Sequence, residues 1–219
     1  MAWAFLKIIK KLLIAQEIDK MGYEELVKKN NTIHPTAVIN WEKVQMGNGN
    51  VVGPFVCIGT DAQHITQKSN GNIHIGNNNT FREFTTVHLP TKISKVTSIG
   101  DENYFMCYSH IAHDCKVESQ VIVAVGGILN GHVTVMKGAY IGTGVSIHQF
   151  QTIGSYSILG MNSTVTKKSQ IIPGGKYIGS PAKRVGINQV ALDKNSISKE
   201  ALDNELMRYH HMLGIVRQS

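Results

Sequence analysis

The sequence has few aromatic residues, few charges and few cysteines, and each shortage excludes a class of protein. Aromatic residues make up 7% and charged residues 17% of the 219 residues, while 42% are hydrophobic. This composition excludes wholesale disorder. Cys57, Cys107 and Cys115 are odd in number and lack CxxC spacing. They therefore argue against a disulfide framework or a structural zinc site, and favour a cytoplasmic protein.

The sequence also lacks an uncharged apolar run long enough to cross a membrane. Its apolar start is interrupted by Lys7, Lys10 and Lys11 and has no small-residue cleavage site, which argues against a secretory signal. We expect an N-terminal helical segment over residues 1–30. Its lysines would suit an anionic membrane surface, although packing against the rest of the protein or a neighbouring subunit is the favoured interpretation.

Glycine and positive charge, in contrast, are plentiful. The 21 glycines indicate many tight turns, and 22 Lys and Arg against 15 Asp and Glu give a net charge of +7. A basic chain favours an anionic partner. No groove-reading motif for nucleic acid is present, so nucleic acid is not expected, but the charge alone does not choose between a phosphate and an acidic protein as the partner.

Every sixth residue is apolar over half of the chain. A period of six fits neither a helix nor an alternating strand, but it fits a β-helix in which three hexapeptides form one triangular coil of about 18 residues. We expect these residues to form an inward-facing core, with small residues two positions before them at the corners. The series consists of Ile75, Phe81, Val87, Ile93, Ile99, Phe105, Ile111, Val117, Val123, Leu129, Val135, Ile141, Ile147, Ile153, Leu159, Val165, Ile171 and Tyr177.

The pattern predicts three parts of the chain. The β-helix would cover residues 31–186, interrupted by a polar external loop at residues 59–72, and repeat proteins often carry function on such loops. Turn residues dominate positions 179–186. A C-terminal helical segment over residues 187–219 would follow. Within it, Ser198 would cap a helix that covers the open end of the prism.

The 18-residue coil aligns three polar clusters that follow Ile111, Leu129 and Ile147. The columns predicted along one edge are Ala112, Asn130 and His148; His113, Gly131 and Gln149; and Asp114, His132 and Phe150. A carboxylate beside an imidazole can fix its tautomer and stabilise its cation. A glycine N–H open to approach can stabilise an oxyanion. Together they suit acyl transfer without a covalent intermediate.

Three alternatives to this chemistry stay open. Histidines at solenoid corners can simply hydrogen-bond the turns. His110, His113, His132 and His148 could instead approach one another as metal ligands, as in a γ-carbonic-anhydrase-like enzyme. A non-catalytic β-helix scaffold that binds partners is the third. Cys115 falls among the small corner residues and is interpreted as packing, not as a nucleophile.

The hexapeptide series, together with IHPTAVI, NYFMCYSHIAHDC, LNGHVTV, IHQF and GSPAKRVGIN, resembles the UDP-N-acetylglucosamine acyltransferase family of lipid A biosynthesis, within the left-handed β-helix acyltransferases. The resemblance covers roughly residues 33–201. It implies an all-β, left-handed parallel β-helix with an N-terminal helix and a short C-terminal α-helical cap. It also implies a homotrimer whose active sites lie between neighbouring prisms.

The resemblance also assigns roles. His113 would be the general base, Asp114 its orienting carboxylate and Gly131 the oxyanion donor. Residues expected to line the sugar-nucleotide and donor cleft are His110, His132, His148, Gln149, Asn188 and Lys194, and Met161 falls at the position that measures acyl length. His64 and Thr66 stand where the family has an acid and a lysine. The GSPAK motif is similar to that of coenzyme A-dependent acetyltransferases and adds Lys183 to the substrate-binding candidates.

We therefore expect a cytoplasmic acyltransferase that moves an acyl group from a thioester on acyl carrier protein or coenzyme A to a hydroxyl or amino group of a nucleotide-linked sugar. No permanently bound cofactor or metal is expected. A coenzyme A-dependent N-acetyltransferase of nucleotide amino sugars is the nearest alternative.

Overall fold

A computed structural model describes residues 23–214 of the chain. Its strands are two to five residues long, and three of them complete one turn of a triangular coil. Strands that are equivalent in successive coils pair in parallel, so that each side of the prism is one sheet. The expectation of an all-β parallel β-helix is confirmed.

The three sheets are the faces of the prism. The first face contains β1 (Thr32–Ile33), β4 (Val51–Val52), β7 (Thr80–Phe81), β10 (Tyr104–Phe105), β13 (Ile122–Val123), β16 (Tyr140–Ile141), β19 (Ile158–Leu159), β21 (Gly175–Ile178) and β22 (Lys183–Ile187). The second contains β2 (Val38–Ile39), β5 (Cys57–Thr60), β8 (Thr86–His88), β11 (His110–Ile111), β14 (Ile128–Leu129), β17 (Ser146–Ile147) and β20 (Thr164–Val165). The third contains β3 (Val44–Met46), β6 (Asn72–Ile75), β9 (Val96–Ile99), β12 (Lys116–Val117), β15 (Thr134–Val135) and β18 (Thr152–Ile153).

Two insertions interrupt the 18-residue spacing of the coils. Val51 pairs with Thr80, 29 residues on, because an external loop over residues 61–71 separates β5 from β6. This first insertion is the predicted loop, slightly shorter than expected. Thr80 pairs with Tyr104, 24 residues on, because a second insertion over residues 89–95 separates β8 from β9. The sequence analysis missed the second insertion.

The apolar series forms the core, with one exception. Residues of the series such as Phe105, Ile111 and Leu129 are fully buried. Ile93 is 57% exposed and lies in the second insertion, so its predicted place in the core is wrong. The insertion lengthens the coil by six residues, and the period therefore continues in register through a loop that does not belong to the prism.

The small residues two positions before the core residues are also buried, and in the N-terminal coils they form an asparagine ladder. Asn31, Asn50, Asn79 and Asn103 stack at one corner, and each of the last three donates from Nδ2 to the Oδ1 of the asparagine before it. The distances are 2.9–3.0 Å. Because buried polar groups are costly unless paired, this ladder fixes the stacking of these coils.

Helices flank the prism at both ends of the described chain. α1 (Tyr23–Asn30) precedes the first coil, and the rest of the predicted N-terminal segment lies outside the described residues. α2 (Gln189–Lys194) and α3 (Lys199–Met212) follow the last coil. Ser198 caps α3 as predicted, its side chain accepting from Ala201 N at 3.1 Å. None of the helices within residues 23–214 is long and apolar enough to span a membrane.

The C-terminal helix α3 contacts both the last coil and the side of the prism. The Tyr209 side chain is buried next to the Ile171 backbone of the last coil. Ser155 Oγ donates to Glu205 at 2.5 Å, and Arg208 pairs with Glu118 at 2.6 Å, two coils back. The preceding segment differs from the sequence analysis: residues 183–186, predicted as turns, and residue 187, predicted as part of the helical segment, form the strand β22, which pairs antiparallel with β21.

Candidate functional site

The polar columns meet at the edge between the second and third faces. Ile111, Leu129 and Ile147 pair in register, which places the residues that follow them one above another. Val165 continues the series. We call this the His113 edge. It carries His113, Asp114, Gly131, His132, Gln149, Phe150, Lys167 and Lys168, at the second and third positions after the four core residues.

The turn at each corner sets the direction of these side chains. Asp114, His132 and Phe150 all have φ between 60° and 62°, in the left-handed region that residues other than glycine seldom adopt. Equivalent positions at the other corners, such as Tyr108 and Gln120, share this φ. Asp114, His132 and Phe150 therefore occupy a conformation that the repeat itself imposes.

His113 and Asp114 form a buried pair. His113 Nδ1 and Asp114 Oδ2 are 2.7 Å apart, and the two residues are 6% and 7% exposed. An ionised carboxylate only accepts hydrogen bonds, so Nδ1 carries the proton and Nε2 is left as the basic nitrogen. This arrangement suits a general base whose tautomer is fixed by its neighbour.

The second insertion holds the Asp114 carboxylate. Thr91 donates to it from its backbone N and from Oγ1, the latter at 2.8 Å, and Ser94 donates from Oγ and from its backbone N. Burial alone would raise the pKa of Asp114, but the hydrogen bonds from Ser94, His113 and Thr91 outweigh it and hold this pKa at about 2. Asp114 is therefore a fixed anion at neutral pH. Thr91 and Ser94 were missed by the sequence analysis.

Gly131 lies against the His113 ring. A Cβ at this position would stand 2.5 Å from His113 Cε1 and 2.7 Å from Nε2, closer than real contacts allow. The Gly131 N–H has no hydrogen-bond partner within the described part of the chain. A free N–H beside the basic nitrogen of His113 is the arrangement needed to stabilise an oxyanion.

His132 completes the cluster. Its Nε2 is 3.6 Å from Asp114 Oδ2, and its ring stacks on Phe150 with centroids 4.3 Å apart. Burial lowers the pKa of His132, and the nearby His113 and His64 lower it further, whereas Asp114 raises it. Phe150 is 58% exposed, so the edge beyond His132 offers an open aromatic surface.

The first insertion closes over the same site. The ring of His64 meets that of His113 edge-on, with centroids 5.5 Å apart. His64 Nδ1 accepts hydrogen bonds from the backbone N of Thr66 and Gln67, at 3.2 and 3.0 Å. In the neutral ring the proton must therefore be on Nε2, which makes His64 a hydrogen-bond donor beside His113.

His110 lies on the outer surface of the second face, close to the cluster. Its ring is edge-on to His88 at 5.0 Å, and its Nδ1 is 2.8 Å from Thr86 Oγ1. Burial, followed by repulsion from His88 and His113, lowers the pKa of His110 to about 4. His110 is therefore neutral at physiological pH.

The other predicted site residues are spread over the molecule. His148 and Gln149 are exposed on the His113 edge, one coil beyond Gly131. Met161 is 74% exposed and lies on a different edge, between the first and second faces. Within one chain, Met161 therefore does not reach His113.

Asn188 and Lys194 lie near a third edge of the prism. Both line a groove of about 370 Å³ beside Tyr140. Asn188 is buried and bound on both sides: Nδ2 donates to the Tyr156 carbonyl at 2.8 Å and Oδ1 caps α2. Lys183 is exposed on β22 at the C-terminal end of the prism.

The cysteines and the possible metal ligands need separate comment. Cys115 is fully buried, and burial raises the pKa of its thiol to about 12, as expected for a packing residue. Ligand atoms of His113, Asp114 and His132 lie within 4.8 Å of one another. The Asp114 oxygens, however, already accept hydrogen bonds from Thr91, Ser94 and His113, which a bound metal would have to displace.

The fold and the site together define a left-handed parallel β-helix of hexapeptide repeats with a histidine cluster on one edge. No family model matches the sequence. The acyl-[acyl-carrier-protein]–UDP-N-acetylglucosamine O-acyltransferases of Synechocystis sp. and Burkholderia orbicola are 33% and 36% identical over 159 residues. The matched region is 72% of this chain, but only 57% and 60% of theirs. The chain thus spans less than two thirds of these relatives.

Solved structures give the same relationship. The UDP-N-acetylglucosamine acyltransferase of Bacteroides fragilis superposes with a TM-score of 0.73 at 29% identity, covering 87% of this chain and 72% of the other. The Acinetobacter baumannii structure gives 0.62 at 28% identity, covering 87% and 83%. The chain is therefore a homologue of the UDP-N-acetylglucosamine O-acyltransferases.

Proposed function

We propose that the protein is an acyltransferase that transfers an acyl group from a thioester to a hydroxyl or amino group of a nucleotide-linked sugar. UDP-N-acetylglucosamine and acyl carrier protein are the first substrates to test. The observation that carries this proposal is the His113–Asp114 pair, whose imidazole ring lies against Gly131, a residue whose backbone N–H is unpaired within the described part of the chain. The names of the homologues support the choice of substrates.

The geometry suits a direct transfer. The acceptor oxygen or nitrogen attacks the thioester carbonyl carbon while His113 Nε2 removes its proton. The carbonyl oxygen becomes an oxyanion that the Gly131 N–H stabilises, and the Asp114 carboxylate stabilises the imidazolium. The intermediate collapses with cleavage of the carbon–sulfur bond, and the imidazolium returns the proton to the departing thiolate.

The spread of the predicted binding residues supports a homotrimer. Met161, Asn188 and Lys194 occupy edges other than the His113 edge. They can line one cleft with His113 only if a neighbouring subunit supplies them. We accordingly propose that the active site lies between subunits of a trimer. We also propose a cytoplasmic location, acyl carrier protein or coenzyme A as the donor, and no resident cofactor.

Release of free thiol tests the proposed function. Purified protein is incubated with acyl-carrier and acyl-coenzyme A thioesters of several chain lengths, each with UDP-N-acetylglucosamine or a UDP- or dTDP-linked amino sugar. We expect thiol release that depends on the sugar nucleotide, with an acylated nucleotide found by mass spectrometry. No transfer with any pair would contradict the proposal. A product acylated on nitrogen would identify the N-acyltransferase alternative.

Metal analysis separates the main rival of a different class. This rival is a γ-carbonic-anhydrase-like metalloenzyme. Among the described residues, its only structural support is that His113, Asp114 and His132 lie close enough to share a metal ion. Stoichiometric zinc in purified protein, with activity lost on chelation, would favour that enzyme. Acyl transfer that persists in the presence of a chelator would exclude it.

A further inference from the structure

The two insertions are fastened to each other beside the histidine cluster. The first insertion returns to the prism at Asn70, whose backbone N donates to the Pro90 carbonyl at 2.8 Å. The preceding residue, Ser69, forms an antiparallel backbone bridge with Thr91. At its end, the first insertion is therefore paired with the second along the backbone.

Ser69 also closes the base of the first insertion. Its side chain is half-buried, and its Oγ accepts a hydrogen bond from the backbone N of Ala62 at 2.8 Å. The Ala62 carbonyl accepts in turn from the backbone N of His64. This turn carries the imidazole that meets the ring of His113 edge-on. One hydroxyl thus joins the two ends of the loop that places His64.

The other side of the bridge leads to the carboxylate. Thr91, which Ser69 contacts through the backbone, donates to Asp114 from its backbone N and from Oγ1. Asp114 in turn accepts from Nδ1 of His113 at 2.7 Å. Two chains of contacts therefore run from Ser69 to the His113 ring. One passes through His64, and the other passes through Thr91 and Asp114.

The joint between the insertions is tightly packed. Gly71 has a φ of 123°, in the region that favours glycine, and a Cβ there would overlap the carbonyl of Lys95 in the second insertion. The next residue, Asn72, donates from its backbone N to the same carbonyl at 3.1 Å. The end of the first insertion is therefore locked against the second on both sides of Ser69.

We propose that Ser69 is a positioning residue, whose hydroxyl holds the joint of the two insertions and so fixes His64 and Asp114 around His113. The inference rests on the proposed function, because it concerns the residues assigned there to proton transfer. A single hydrogen bond of this kind contributes modestly to stability. Its loss is expected to loosen the joint locally while the prism stays folded.

Kinetics of Ser69 variants test this role. Ser69→Ala removes the hydroxyl, and we expect kcat to fall by about threefold to tenfold with little change in KM for the thioester. Ser69→Thr keeps an oxygen at this position and should restore the rate. Ser119→Ala is the matched control, because Ser119 Oγ also accepts a backbone N–H, from Asp101 at 3.0 Å, but on another edge of the prism.

The Nδ1 proton of His113 gives a second readout that needs no turnover. In protein with isotope-labelled histidine, NMR detects this proton, whose signal is assigned with His113→Ala. The bond to the Asp114 carboxylate protects it from exchange with water. We expect exchange to be about threefold to tenfold faster in Ser69→Ala than in the wild type, and unchanged in Ser119→Ala.

The outcomes separate this inference from the proposed function. Faster exchange in Ser69→Ala that Ser69→Thr reverses would support the inference even if no acyl transfer is found with any substrate. Exchange in Ser69→Ala equal to that of the wild type would overturn it even if acyl transfer is observed. Equally fast exchange in Ser119→Ala would also overturn it, because the effect would then be a general loss of stability.

Discussion

The imidazole of His113 occupies the space that a side chain at Gly131 would need. An ideal Cβ at Gly131 would lie 2.5 Å from His113 Cε1. The two residues are brought together by the 18-residue coil, because Leu129 pairs directly with Ile111. Glycine at this position therefore admits the imidazole ring, and in the proposed mechanism it also leaves its own N–H open to the reacting carbonyl.

Gly131→Ala tests this relationship. The added methyl group must displace the His113 ring, so we expect the rate of acyl transfer to fall by about a hundredfold or more, in line with the loss of a positioned general base. Gly186→Ala is the control, because no atom lies within 4 Å of a Cβ built there. Similar activity in the two variants would argue against a role for the Gly131–His113 contact.

Thr91 and Ser94 are expected to act through Asp114. Removing one hydroxyl that donates to a carboxylate costs about 1.5–3 kcal/mol, so Thr91→Val or Ser94→Ala should lower kcat roughly tenfold to a hundredfold. KM should change little, because neither hydroxyl is placed to touch substrate. Thr91→Ser keeps the hydroxyl and should restore most of the activity. A Thr91→Ser variant as impaired as Thr91→Val would mean that the methyl group, and not the hydrogen bond, matters.

The asparagine ladder should contribute to stability and not to catalysis. Asn79→Ala leaves Asn50 and Asn103 without one partner each inside the prism. An unpaired buried polar group costs about 1–3 kcal/mol, and urea denaturation should show a loss of this size in the free energy of unfolding. Asn70→Ala, in the external loop, is the control and should lose much less. An equal loss in both variants would refute the ladder's role.

His110 should make the stability depend on pH. Its pKa is lowered to about 4 in the folded protein, mainly by burial, from an ordinary value of 6.5. The unfolded chain therefore binds a proton first as the pH falls, and the stabilisation present above pH 6.5 is lost progressively towards pH 4. Urea denaturation at pH 7 and pH 4.5 should show a smaller pH effect in His110→Gln than in the wild type. The exposed His34→Gln variant should behave like the wild type.

Much of the fold follows from the repeat, because the arithmetic of the coil fixes which residues stack. The columns that unite His113 with Gly131, and Asp114 with His132, were predicted in this way and are confirmed. Ile93 shows the limit of the method. The insertion around it lengthens the coil by one full period, so that a loop residue satisfies the pattern without joining the core.

The contacts of the insertions were not predictable from the period. Thr91, Ser94 and His64 reach the site because irregular loops fold back over the edge, and the path of such loops depends on tertiary contacts. For His64 the signals were the largely polar composition of residues 61–71 and the family resemblance, which places His64 where the family has an acid. Asn188 illustrates a different limit, because its amide is used to cap α2, a role that the sequence resemblance does not contain.

The central claim is that His113 is the general base, and His113→Ala tests it most directly. Thiol release and formation of acylated sugar nucleotide are measured at saturating substrates, with melting temperature and oligomeric state as controls for folding. We expect the rate to fall by about a hundredfold to ten-thousandfold while the melting temperature and the assembly are retained. A folded His113→Ala protein whose rate stays within a few-fold of the wild type would contradict the account.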